Sequence, residues 1–179
     1  MTTTVIREQM KFNKIELEKF EFLGDEPKVI ARTPFKWMTK EEIADVKRYP
    51  YLIEISCPFS IYFKFNGTDI VLRGIIPELF KYNEADIPDL LQPIAFDRHS
   101  PFVKDASLIH DYILDNRERL WKTWELKEKG LSVWDFRKIS SLVFGYQLEQ
   151  NAVPHWKAVL MAFFTHLWQL VVPRWYKIK

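Results

Sequence analysis

In the stretch FSIYFKFNGTDIVLR, residues 59–73, Phe59, Ile61, Phe63 and Phe65 alternate with Ser60, Tyr62 and Lys64. Alternation at period two marks a strand with one buried face. Asn66-Gly67 then supplies the two positive φ angles of a tight turn, and residues 69–73 return as the partner strand. A hairpin with so aromatic a face needs a cover, and the chain around it is read for what could supply one. Upstream, KIELEKFEFL at 14–23 is a half-buried strand whose register slips near Glu18 and Lys19. After the turn at Gly24 to Pro27, Val29-Ile30-Ala31 reads as its partner. Residues 33–50 read as an inserted loop with a short helix, because Thr39 and Glu42 form a capping box.

Downstream the period becomes helical. Ala106, Ile109 and Ile113 mark one face of a helix with Asp105 as its N-cap. RERLWKTWELKEKG reads as a second helix, ending at Gly130. Ser132 with Asp135 caps a third, running to about Gln150, and Pro154 opens a fourth that runs to about Val172. Antiparallel strands and a hairpin packed on about four C-terminal helices make an α+β fold. Residues 1–68 are read as a β-rich extension with the first hairpin strand and 69–179 as the helical core, within one compact domain.

Composition narrows the function. The chain has 179 residues, of which 47% are apolar and 28% charged, enough to fold around one core. A net charge of +2 gives no strong nucleic-acid signal. Cys57 is the single cysteine, which excludes an internal disulfide and multi-thiolate zinc sites. With five glycines and no G-x-G-x-x-G or Walker-type loop, nucleotide chemistry has no cradle. The N-terminus lacks a secretory h-region, and no charge-free run reaches about 18 residues, so no transmembrane segment is expected. Trp156 to Val172, interrupted by Lys157, Thr165, His166 and Gln169, is read as a buried helix. Aromatic residues reach 16% of the chain, a composition that suits a core or an interface. If an interface is involved, some of Trp37, Trp121, Trp124, Trp134 and Trp175 should be exposed on the monomer.

The chemistry-bearing feature is His110-Asp111, on a helix. An imidazole beside a carboxylate can ligate a metal or act as base and orienter, although neighbouring helical side chains diverge by about 100°. The same pair equally serves as a hydrogen-bonded structural element. Cys57 precedes Pro58 with no histidine nearby in sequence and reads as a core thiol. No G-x-S-x-G or H-E-x-x-H occurs.

LFKYNEADIPDLL at 79–91, SLIHDYIL at 107–114 and FRKISSLVF at 136–144 together resemble a phage and prophage family known as domain of unknown function one-three-five-three. Its pattern is G-F-x-T-D-x-A-S-I-P-R, then A-x-x-H-D-x-L, then R-x-x-A-D-x-x-F. The resemblance covers residues 69–171. Phe80, Ala85, Ile87, Pro88, His110, Asp111, Arg137 and Phe144 match it, with Leu114 behind the H-D pair. Tyr82-Asn83 stand for its T-D, Asp86 for its serine, Asp89 for its arginine and Ser140-Ser141 for its A-D. Two carboxylates of the motif are thereby lost, and a divalent cation would be held less tightly.

The resemblance implies a polar cluster of Asn83, Asp86, His110, Asp111, Arg137 and Ser141, with no cofactor. It further implies a tailed-bacteriophage virion-associated or accessory structural protein that acts by protein–protein binding. Such a protein is made in the host cytoplasm and carried in the virion, with other phage structural proteins as partners and self-association as a further mode. The alternative is a small metal-dependent hydrolase, directed at cell wall, with His110 and Asp111 catalytic and Asp86 joining them on a divalent metal.

Overall fold

A computed structural model describes residues 10–83 and 101–171. They form seven strands, β1 Met10–Phe12, β2 Ile15–Phe22, β3 Val29–Ala31, β4 Tyr51–Ile53, β5 Cys57–Phe65, β6 Thr68–Ile76 and β7 Lys81–Tyr82. Five helices accompany them: α1 Lys40–Arg48, α2 Pro101–Asp115, α3 Arg117–Thr123, α4 Val133–Gln150 and α5 His155–Val171.

The hairpin is β5 and β6, paired from Phe65–Thr68 at the turn to Cys57–Ile76. Asn66 and Gly67 take φ values of 51° and 81°, the two left-handed positions that Asn-Gly tolerates. The hairpin extends into an antiparallel sheet of order β1-β2-β5-β6. Its inner face carries Ile15, Leu17, Phe20, Phe59, Ile61, Phe63, Ile70 and Leu72, all buried. Leu17 and Phe20 share that face because the register shifts between Leu17 and Lys19. One extra residue at this bulge restores the parity that strict alternation would have lost.

Val29–Ala31 does not pair with β2, as the sequence suggested. It pairs with β4 in a second sheet of order β3-β4-β7. Both sides of β2 are already occupied, by β1 and by β5. The connection from β3 to β4 holds α1 with its capping box: Glu42 N–H donates to Thr39 Oγ1 at 3.2 Å, and Thr39 N–H to Glu42 Oε2 at 2.7 Å. Asp45 on α1 accepts from Lys81 Nζ at 2.6 Å and Arg32 Nη2 at 2.7 Å, tying the helix to β7 and to the chain just after β3.

Lys81 first and Arg32 second hold the Asp45 carboxyl below its ordinary range. A depressed carboxylate stabilises the fold above its unfolded pKa, and the contribution fades as pH falls through the folded value. Denaturation at a series of acid pH values should therefore show a shallower acid loss for Asp45→Asn than for the natural chain. Superimposable acid limbs would mean that the trio contributes nothing.

The helices cover the sheet's inner face. Phe59 meets Tyr112 of α2 edge-on, with ring centroids 5.8 Å apart, and Trp124 at 6.4 Å. α2 begins at Pro101, a turn before Asp105, so Asp105 lies inside the helix and is not its cap. Proline suits a first helical position, where its missing N–H costs nothing. α3 stops at Thr123 instead of continuing to Gly130. Trp124 and Leu126 are both buried. In an unbroken helix they would point about 200° apart. The turns from residue 124, with Glu125 at φ 51°, bury both. Trp124 Nε1–H reaches the Arg73 carbonyl at 2.6 Å, and the Tyr112 hydroxyl reaches that of Ile75 at 2.6 Å.

α4 starts at the Ser132–Asp135 capping box and is buried through most of its length, with β1 and β2 on one side and α2 and α5 on others. Gly145 lets α5 approach: a Cβ there would lie 2.8 Å from Ala162 Cβ, 3.0 Å from Met10 Sδ and 3.1 Å from the Ala158 carbonyl. α5 is not the buried helix its apolar run suggested. Ala158, Met161 and Ala162 are buried, whereas Trp156, Phe163 and Leu167 are exposed. Among the described residues no helix is long and apolar enough to cross a membrane. The expected boundary at 68/69 falls inside β6, just past the hairpin turn, and one buried cluster from Met10 to Met161 joins the residues on both sides of it.

Candidate functional site

α2 carries His110 and Asp111 into the interior, where they are 7% and 8% exposed. His110 Nδ1 lies 3.3 Å from Asp111 Oδ1. The other oxygen, Asp111 Oδ2, accepts the Asn83 backbone N–H at 3.3 Å. The chain just after β7 thus meets the His-Asp pair through its backbone, a contact that does not depend on which side chain residue 83 carries.

The far side of the imidazole is closed by a residue that sequence reading did not select. Gln169 Nε2, on α5, lies 3.0 Å from His110 Nε2, 2.8 Å from Ser141 Oγ and 3.3 Å from Ser140 Oγ. Both serine hydroxyls donate to the Arg137 carbonyl, at 2.9 Å from Ser140 and 3.2 Å from Ser141. With their protons so engaged, the hydroxyls accept from the Gln169 amide. The network then assigns the imidazole proton to Nδ1, facing the carboxylate, and leaves the Nε2 lone pair to accept from Gln169. Reversing the amide would set a bare Nδ1 lone pair against Asp111 unless the ring carried both protons. The cost of the assignment is Gln169 Oε1, buried with no hydrogen-bond partner among the described residues.

The Phe144 ring, 5.7 Å from that of His110, completes the apolar wall. Arg137 is 3% exposed, and its guanidinium carbon lies 5.1 Å from the centre of the Trp134 ring. The described residues thus bring Asn83, His110, Asp111, Arg137 and Ser141 together, add Ser140 and Gln169, and leave Asp86 outside the description. Gln169 had one sequence signal, as a polar interruption in the apolar run. It falls on the arc of α5 shared by Ala158 and Ala162, where a polar side chain needs a buried partner.

A general base needs a lone pair aimed at a reacting atom, and a metal ligand needs one aimed at the ion. As arranged, His110 offers neither, because Nε2 faces an amide donor and Nδ1 faces Asp111. Among the described residues no three of His, Cys, Asp and Glu gather. The donors present are disposed to bond one another.

A family-model scan, a search of curated proteins and a search of solved structures each found no match to the chain.

A separate cleft of about 290 Å³ opens beside β2, lined by Phe22, Glu26, Asp105, Gln147, Gln150 and Asn151. Its carboxylates and amides come from three parts of the chain, so no local motif announces it.

Proposed function

We propose that the chain acts by binding, as a virion-associated or accessory structural protein of tailed bacteriophages. Made in the host cytoplasm and carried in the virion, it would bind other phage structural proteins, with self-association as a further mode. The observation that carries a binding role over a catalytic one is the enclosure of His110: both ring nitrogens are engaged inside the protein. The phage assignment rests on the motif resemblance through His110-Asp111, Arg137 and Phe144. Exposed aromatic side chains favour an interface: Trp37 is 76% exposed and stacked on Phe35, and Trp134 is 48% exposed. Of the other tryptophans named from sequence, Trp124 is buried, Trp121 half-buried, and Trp175 lies outside the described residues.

The alternative, a metal-dependent hydrolase directed at cell wall, requires Nε2 to be free. The two are separated by removing the imidazole. His110→Ala takes a buried partner from Gln169 and from Asp111 and should cost about 1–3 kcal/mol, read as a lowered melting temperature. Titration of zinc and manganese should show no tight binding, either to the natural chain or to the Asn83→Asp, Ser141→Asp double variant. Tight metal binding by the natural chain, with an unchanged melting temperature for His110→Ala, would leave the hydrolase as the better reading.

A further inference from the structure

The cleft beside β2 gathers polar side chains that the fold does not spend. Glu26 follows β2, Asp105 and Leu108 stand on α2, and Gln147 and Gln150 lie in the last turn of α4. With Phe22 they surround about 290 Å³. Among the described residues, the side chains of Glu26, Asp105, Gln147 and Gln150 make no hydrogen bond or ion pair. Their bonding capacity is open to whatever enters.

The charge in the cleft is of one sign. Among the described residues, no Lys, Arg or His lines it. The two lysines nearest these carboxylates in sequence are directed elsewhere: Lys28 pairs with Glu54, and Lys104 Nζ stands 5.3 Å from the centre of the Tyr51 ring. Loss of water chiefly, with the charge of Glu26 added against the pull of Lys104, raises the Asp105 carboxyl above its ordinary range. The two carboxylates thus sense each other across the cleft, and a cation placed between them relieves that repulsion.

The remaining walls select among cations. A guanidinium donates in pairs to carboxylates through its planar fork, and its other N–H groups meet amide oxygens such as those of Gln147 and Gln150. Its flat face and its methylene stem lie well on apolar side chains such as Phe22 and Leu108. An ammonium is a compact, strongly hydrated charge and uses less of this lining. Glu26, Asp105 and Gln150 are exposed, so the cleft is open to solvent, whereas sites for free small molecules enclose most of their ligand. An open cleft of this size suits one side chain projecting from a larger surface.

We infer that the cleft binds an arginine side chain presented by a partner protein, with Glu26 and Asp105 as its anionic walls. The inference rests on the binding role proposed above and supplies the chemistry of the partner's contact.

The test is a titration of the full chain, labelled with nitrogen-15, with the blocked tripeptide Gly-Arg-Gly and with its citrulline counterpart, which keeps the shape and loses the charge. The arginine peptide should give saturable shifts at the amides of residues 26, 105, 147 and 150, with an affinity about tenfold above that of the citrulline peptide. A lysine peptide should bind more weakly than the arginine one. Glu26→Gln with Asp105→Asn should lower the affinity for the arginine peptide about tenfold. The double variant should melt no lower than the natural chain, because neither carboxylate holds a bond in the fold. Absence of a saturable shift, equal binding of the citrulline peptide, or undiminished binding by the double variant would overturn the inference. So would tighter binding of agmatine than of the arginine peptide, since the cleft would then belong to a free small molecule. These outcomes are separate from the metal titration and the His110→Ala melt, so failure here and failure of the binding reading are told apart.

Discussion

Phe59→Ala should remove about 3–5 kcal/mol of folding stability, the range for deleting a buried phenylalanine ring. Phe59 is fully buried on the central strand pair, and its ring contacts Phe20 on β2, Tyr112 on α2 and Trp124 beyond α3. Three otherwise separate elements converge on this one side chain, so the cavity cannot close by moving any one of them. The ring also fills the space over Gly74, where an added Cβ would come within 2.6 Å of it. Gly74→Ala should therefore be costly in the natural chain and much milder beside Phe59→Ala, a coupling that a double-mutant cycle measures. Chemical denaturation followed by circular dichroism would give each value. Since small domains are stable by about 5–15 kcal/mol, the single change should take a large share of the total. A loss below about 1 kcal/mol would show that the inner face of the hairpin is not the centre of the core.

Gly145→Val should cost about 3 kcal/mol, the upper end for overpacking a well-filled interior. Two of the three atoms a new Cβ would meet are flexible or small, Met10 Sδ and Ala162 Cβ, but the third is the Ala158 carbonyl, which the helix holds in place. Relief requires α5 to move away from α4, and that movement would also stretch the Gln169 contact to His110. The same variant should thus loosen the polar cluster, visible as faster amide exchange around residues 110 and 141. Gly145→Ala should show the same pattern at smaller size. Unchanged stability for the valine variant would mean that α5 is not seated as described.

The parts of this fold written in short range were legible. The Asn66-Gly67 turn, the Thr39–Glu42 and Ser132–Asp135 caps and the slip at Glu18 and Lys19 each depend on residues within a few positions of one another, and each is present. Strand pairing across the chain was not legible, because a three-residue strand such as Val29–Ala31 carries no mark of its partner. The end of α3 was missed because a helical period continues in the letters after the backbone has turned to bury both Trp124 and Leu126. At the site, His110-Asp111 stood out as a dipeptide, whereas Gln169 joins it across 59 positions, a contact only the tertiary fold can make.

The bonds from Tyr112 and Trp124 to β6 have a consequence for the chain in a crowded cell. β6 is an outer strand of its sheet, and a bare outer strand is a ready template for a foreign one. Its carbonyls at Arg73 and Ile75, two residues apart along one rim, are both claimed by side-chain donors from the helical layer. The two aromatic residues that help seal the core also withdraw acceptors an incoming strand would need. Aggregation by strand addition is blocked along this stretch of the rim by groups that cannot be released without opening the core itself.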